Sequence, residues 1–419
     1  MSLNNCDVPD ILWSIDLDQP FVGAPLVADD LLLLPTGRSG AMEQNATLHA
    51  LSLTDGDLRR QQAYKNAFVS GLAIAGDMLL VSLTSTDLLR GAGALLALSV
   101  DGEERWRWTP EESVQCVSTP AVTDEIVCFT ADTHTLVVLD LGSGEERARV
   151  PLAASASLSA PAVAGGVAYV PCRGAHLLAV GLDGEPRWQY TDDDSSAWLD
   201  KTPVVAGDRL FAVLSTGAVL ALRMTDGSLS WHVEVGPAGK PLSPPAADVD
   251  NQRLYVGTRD GLYALGLADG RELWRFPTGR RVEAAPVVHA GAVYAACHDH
   301  HLYALDADSG QELWRYGVGR RIEVAPALAT CGEPPTPCVL VADRGGTLTA
   351  VARPLSAEEH EAAGNWLEAA KLRQALGQRE RAAELYEAAG AWREAAELWC
   401  ALGRPLKQDQ ALEAHARSL

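Results

Sequence analysis

Seven prolines, each preceded by Ala, Thr or Pro, recur along the chain at nearly even steps: Pro25, Pro120, Pro161, Pro203, Pro245, Pro286 and Pro326. The steps after Pro120 are 41, 42, 42, 41 and 40 residues. The first step, 95 residues, is two repeats of about 47, and SGLAIAGDMLLVSL supplies the missing start near residue 72. Trp13, Trp106, Trp188, Trp231, Trp274 and Trp314 keep the same beat, with positions near Leu58 and Arg147 filling two vacancies. A repeat of this length is one supersecondary unit stacked on its neighbours, so it decides the fold before local propensity does.

Each unit reads alike. APVVHAGAVYAACHDHHLYALDADSGQELWRY contains four short apolar or alternating runs, APVV, AVYAAC, LYALD and ELWRY, separated by AG, HDHH and DSG. Runs of that kind are strands, and the separators are turn chemistry. Four antiparallel strands make one propeller blade, and eight starts make eight blades. The last repeat, after Pro326, lacks an ELW strand, whereas ILWSIDL at 11–17 is such a strand with nothing before it. The N-terminal strand is therefore expected to complete the eighth blade and leave no open edge. The expected fold is an all-β eight-bladed propeller over residues 1–353, followed by a small all-α tail over 354–419.

The string LYALDADSGQELWRY resembles the repeat of the PQQ-like (quinoprotein-type) β-propellers, a family that includes the outer-membrane barrel-assembly lipoproteins. The resemblance spans roughly residues 10–352 and is strongest in repeats five to seven. It implies that the Trp packs between neighbouring blades and that the Gly makes the turn, which speaks for fold more than for function. The quinone dehydrogenases sharing this repeat carry an adjacent cysteine pair, a calcium site and a catalytic Asp. None of the eight cysteines here is adjacent to another, so the resemblance implies the fold without cofactor.

The tail has its own rhythm. Gly364, Gly377, Gly390 and Gly403 stand thirteen apart, and Leu372, Leu385 and Leu398 keep that spacing. Between the glycines the chain is rich in Ala, Glu, Leu and Arg, which predicts helices of about ten residues, each ended by a left-handed Gly. Helices so short must pack on one another, with Ala pairs allowing close approach and Leu, Trp366 and Trp392 filling the seam. The array resembles tetratricopeptide-type helical hairpins.

The net charge of −21 would repel nucleic acid and anionic membrane, so neither is expected as a partner. MSLNNCDVPD has no basic stretch followed by an apolar run, and no apolar run elsewhere is long enough to span a bilayer. The expectation is a cytoplasmic protein; an envelope-assembly role, the alternative the resemblance offers, would need a signal that Cys6 and its neighbours do not supply. Cys331 and Cys338 flank the loop GEPPTP and can pair if oxidised.

Comparing the repeats with one another locates the variable surface. The third-to-fourth turns are uniform (LTDGD, VDGE, GSGE, LDGE, TDGS, ADGR, DSGQ), whereas the second-to-third turns and the links between blades vary. In a four-stranded blade both variable sets fall at the same end of the ring, and varied loops on a rigid scaffold are where binding sits. Two of those links, RRVEAAP (280–286) and RRIEVAP (320–326), are nearly identical. Arg281 and Glu283, like Arg321 and Glu323, are two apart and point one way in extended chain. One reading is an arc of guanidinium groups, from Arg259, Arg280, Arg281, Arg320, Arg321 and Arg344, that holds an acidic peptide or carboxylate ligand. The other is that Arg and Glu pair between blades and tie the ring. TDDDSSAWLD carries Asp192, Asp193, Asp194 and Trp198, either a protruding contact loop with an aromatic anchor or a solvated turn. Cys297, His298, His300 and His301 in CHDHH are metal-ligand types, but neighbours on a tight turn point apart, and no metal is expected.

No HExxH, P-loop, GxSxG or GxGxxG motif occurs. The expectation is a non-catalytic scaffold or adaptor that binds a protein or peptide on its variable face, with a second docking surface on the helical tail. The competing expectation is a small-ligand-binding or enzymatic propeller using its channel mouth.

Overall fold

The structure is a computed structural model that describes residues 9–37, 45–86, 92–110, 116–193, 197–235 and 243–418. Thirty-two strands in the described residues form eight four-stranded antiparallel sheets, with five helices after them. The sheets are β2–β5 (26–64), β6–β9 (67–108), β10–β13 (121–151), β14–β17 (162–191), β18–β21 (204–234), β22–β25 (246–277) and β26–β29 (287–317). The eighth joins β30–β32 (327–352) to β1 (Ile11–Asp16). This is an eight-bladed β-propeller.

Each marker proline is the residue immediately before a blade's first strand, as Pro286 is before Val287 and Pro326 before Ala327. Proline has no N–H to give a ladder and biases its predecessor toward extended backbone, so it sets where the inner strand begins. The second blade lacks the proline, and its first strand starts earlier than the sequence predicts, at Ala67 rather than near 72. It runs nine residues through a register shift between Val69 and Gly71. Gly71 is needed there because a Cβ would meet Thr119 at 2.5 Å or less.

First strands of successive blades touch one another around the channel. The core lies between blades, where the alternating faces of neighbouring sheets interleave: Leu33, Leu48 and Tyr64 with Leu79 and Leu96, and Tyr255 and Leu262 with Val293 and Leu305. The tryptophans lock the outer strands. Trp13, Trp106, Trp188, Trp231 and Trp274 donate their indole N–H to Leu53, Leu141, Met224, Leu267 and Ala307 O respectively, at 2.8–3.0 Å, each a carbonyl of the following blade.

The two vacancies in that series, expected near Leu58 and Arg147, fall at Arg60 and Ala148, as the pairing Arg60–Ala50 and Ala148–Val138 places them in the tryptophan register. Arg60 keeps the function with a different group: its guanidinium donates to Val100 O at 3.2 Å and lies over Gly102.

The ring is sealed by the beginning of the chain. β1 pairs with β32 (Thr347–Ala352), and Trp13 packs with Leu32, Leu34, Leu340 and Ala350 between the eighth and first blades. After Arg353 come α1 (Ala357–Ala362), α2 (Trp366–Ala375), α3 (Arg379–Ala388), α4 (Trp392–Ala401) and α5 (Pro405–Ser418), successive helices packing on each other. Gly364, Gly377, Gly390 and Gly403 all have φ between 68° and 77°, the left-handed caps the spacing predicts. The seam is built from Ala369, Ala370, Ala382, Ala383, Leu385, Ala395, Ala396, Leu398 and the fully buried Trp399. Trp366, expected in that seam, is exposed instead. Trp399 takes the central place because its indole can donate to Glu387 Oε1 at 2.7 Å.

Candidate cationic face at one end of the ring

The repeated links at 280–286 and 320–326 are staples. Val282 and Ile322 are fully buried, and Val282 N donates to Thr258 O of the sixth blade at 2.8 Å. Arg281 O then accepts from His298 N at 3.0 Å, and Arg321 O accepts from Arg344 N at 2.9 Å, so each link is tied to the second-to-third turn beyond it. The near-identity of the two links follows from this shared backbone geometry. It also shows that links and second-to-third turns gather at the same end of the ring.

Three aspartates that sequence reasoning did not single out brace these turns. Asp299 accepts from Tyr303 Oη at 2.7 Å, from Gly279 N at 3.1 Å and from His301 N at 3.1 Å. Burial alone would raise its carboxyl, but those donors outweigh it and hold Asp299 below the usual carboxylate range. Asp343 accepts from Arg320 N at 3.1 Å and Gly345 N at 2.7 Å, and Asp260 from Thr258 Oγ1 at 2.7 Å and Tyr263 Oη at 3.1 Å. The available signal was an Asp in each of TRDG, CHDHH and DRGG.

The side chains above this brace are basic. Arg259, Arg280, Arg281, His298, His300 and Arg321 line an open cavity of about 640 Å³. Arg281 Nε lies 3.2 Å from Glu283 Oε2 and donates to His298 Nδ1 at 3.2 Å. His298 Nε2 is 3.1 Å from the same Glu283 oxygen. In the next repeat Arg321 Nε lies 2.7 Å from Glu323 Oε1, and Arg344 Nη1 reaches that oxygen at 3.0 Å. The Arg–Glu pairs therefore form within a link or between a link and its own turn, and the cross-blade tie is made by backbone. Arg259, Arg280 and Arg320 have exposed guanidiniums with no carboxylate partner among the described residues.

His298 is only 5% exposed, and burial, then the Arg281 guanidinium, push its imidazole below the ordinary value against the pull of Glu283 and Glu323. Cys297 is buried, donates to Arg280 O at 3.2 Å, and has its thiol pushed up to about 11 by burial. His301 turns to Asp299 O at 3.0 Å. Cys297, His298 and His301 thus face different partners while His300 lines the cavity, and no metal-ligating cluster occurs among the described residues.

Trp198 lies on the link between the fourth and fifth blades, 52% exposed, held by buried Ala197 and Leu199 on either side. Its N–H donates to Ser215 Oγ at 2.9 Å in a second-to-third turn, which puts it at the same end of the ring as the arginines. Asp193 is exposed, and Tyr190 Oη donates to Asp192 at 2.9 Å; Asp194 lies outside the described residues. Cys331 and Cys338 pair as a disulfide, their Cα atoms 6.2 Å apart. No helix among the described residues is long and apolar enough to cross a membrane.

Comparison with known proteins follows the ring. The family model described as outer membrane protein assembly factor BamB matches residues 91–241 and 217–354. The chain is 29% identical over 206 residues to the outer membrane protein assembly factor BamB of Yersinia pestis, covering 46% of this chain and 50% of that protein. It is 31% identical over 144 residues to the BamB of Shigella dysenteriae, covering 32% of this chain and 35% of that protein. The matches thus span only about a third to a half of these relatives' own lengths. The crystal structure of BamB from Moraxella catarrhalis superposes with a TM-score of 0.60 at 18% identity, over 83% of this chain and 98% of that one, a likeness of fold.

The cytoplasmic location expected from the N-terminal residues is corrected by these relatives, which are by name outer membrane protein assembly factors. That expectation rested on the first ten residues and on the lengths of the apolar runs, whereas the match is carried by the repeats from residue 91 to residue 354. With its family match running from residue 91 to residue 354, well over half of the chain, this protein belongs to the family of outer membrane protein assembly factor BamB.

Proposed function

We propose that this chain is a non-catalytic docking component of outer-membrane-protein assembly, which holds a protein partner on the end of the propeller where the links and second-to-third turns meet. Membership of the BamB family is the observation that carries this reading. The rigid, sealed ring supports it, because a scaffold of this kind displays loops without moving them. Cys331 and Cys338, their Cα atoms 6.2 Å apart, are placed to pair in an oxidising compartment, where such bonds persist. Trp198 serves as an aromatic anchor in this reading, half-exposed on a firmly held link.

A photo-crosslinking residue at Trp198, compared with one at Asp269 in a uniform third-to-fourth turn at the opposite end, tests it in the host envelope. Crosslinks to a defined protein from position 198 and none from 269 are expected. Equal capture from both positions, or none from 198, would remove the loop face as the docking surface.

A further inference from the structure

We infer that the cavity among the GRR links receives a run of carboxylates, carried on an acidic segment of the protein partner. This rests on the docking reading and names the chemistry of what docks. Among the described residues, all six that line it are Arg or His, with neither an acidic nor an apolar side chain. In a chain of net charge −21, a pocket lined by four arginines reverses the sign of its surroundings. Gathering like charges costs free energy unless an anion completes the site, and low-dielectric walls focus the resulting potential outward.

The internal carboxylates are already committed. Glu283 holds Arg281 and contacts His298, and Glu323 holds Arg321 and Arg344, so both glutamates act as orienting groups beneath the arc. They leave Arg259 and Arg280 without a carboxylate partner among the described residues, on two different loops of the cavity wall. Planar guanidiniums with free donors take carboxylates by paired hydrogen bonds.

The shape favours a peptide over a small anion. The lining groups come from four separate loops, at 259, 280–281, 298–300 and 321, arranged along three blades. The cavity they line is open, unlike the closed shell that surrounds a single phosphate or tricarboxylate. Among the described residues no Trp, Tyr or Phe lines the cavity to stack a flat cofactor. A string of Asp or Glu side chains, spaced along an extended segment, meets such an arc one group at a time.

The test uses the full chain and fluorescein-labelled hexaglutamate, with hexaglutamine as the neutral probe and citrate and pyrophosphate as small anions. Arg259→Gln with Arg280→Gln removes the two unpaired cations of the cavity wall and leaves the backbone hydrogen bonds of the staples in place. Arg223→Gln with Arg271→Gln removes two charges from the opposite end. Hexaglutamate is expected to bind, to weaken roughly tenfold in the first double variant and to stay unchanged in the second, with unaltered melting in both. Binding no tighter than hexaglutamine, equal weakening in both double variants, or citrate or pyrophosphate binding as tightly as the peptide would each overturn the inference. Failure here with persistent crosslinking from position 198 leaves the docking reading intact. Peptide binding with no crosslinking supports the acidic-segment site and removes the docking face instead.

Discussion

At the scale of single residues, the contact between a tryptophan and the next blade's turn glycine does the most to fix the ring. Gly310 has φ near 70°, and a Cβ there would lie 2.6 Å from the Trp274 ring. Gly207 has φ near 63° with nothing within 4 Å. Gly207→Ala therefore costs only the left-handed backbone, about 1 kcal/mol, whereas Gly310→Ala adds a steric conflict for a total of about 3 kcal/mol. Urea denaturation of the two variants should show that ordering, and equal losses would mean the tryptophan yields freely. The tryptophan beat was legible because indole is rare and conspicuous. Arg60 was not, since nothing in a string of arginines distinguishes one that donates to Val100 O from one that faces water. The same holds at the cationic face. The two-residue spacing of Arg281 and Glu283 put both on one side of the link, but the pairing weighed between blades forms within the link, and His298 joins it only because its turn folds over the link, a contact 15 residues away in sequence.

Among the elements, the join between tail and ring is centred on a buried clamp, with Gln378 Nε2 also donating to Asp308 Oδ2 of the seventh blade at 2.9 Å. Arg353, just past β32, is buried and makes two 2.6 Å hydrogen bonds to Glu359 in α1, while Glu359 also accepts from Ser356 N in a capping box. His289 of the seventh blade stands 3.5 Å from the same carboxylate. Burial opposes the Glu359 charge, but Arg353, Ser356 N and His289 outweigh it and hold its pKa at about 2. A carboxyl lowered on folding stabilises fully above its unfolded value near 4.5 and loses that stabilisation as pH falls toward about 2. Hydrogen exchange of α1 should thus accelerate between those limits in the parent and show a flatter dependence in Glu359→Gln. Glu359→Ala leaves a buried guanidinium without its counter-ion, and a loss of about 3 kcal/mol is expected in the docking of α1. The sequence foretold the helices through their thirteen-residue glycine spacing. It did not foretell this clamp, because Arg353 reads as a linker residue until the ring brings His289 and α1 together.

For the molecule as a whole, closure decides whether eight blades act as one body. β1 supplies the fourth strand of the eighth sheet and carries Trp13 into the seam with the first blade. Removing residues 9–17 exposes the edge of β32 and empties that seam, so the sharp single thermal transition of the parent should broaden or split in the truncated chain. A truncated chain that melts as the parent does would mean the seam adds no cooperativity. The strand's position also imposes an order on synthesis. Ser14 must find Thr349, 335 residues downstream, before the circle is complete. At ribosomal speeds of about 5–20 residues per second, that first strand waits roughly 20–70 s without its neighbour. Throughout that interval the newborn polypeptide displays an unsatisfied ribbon end and the bare indole of Trp13.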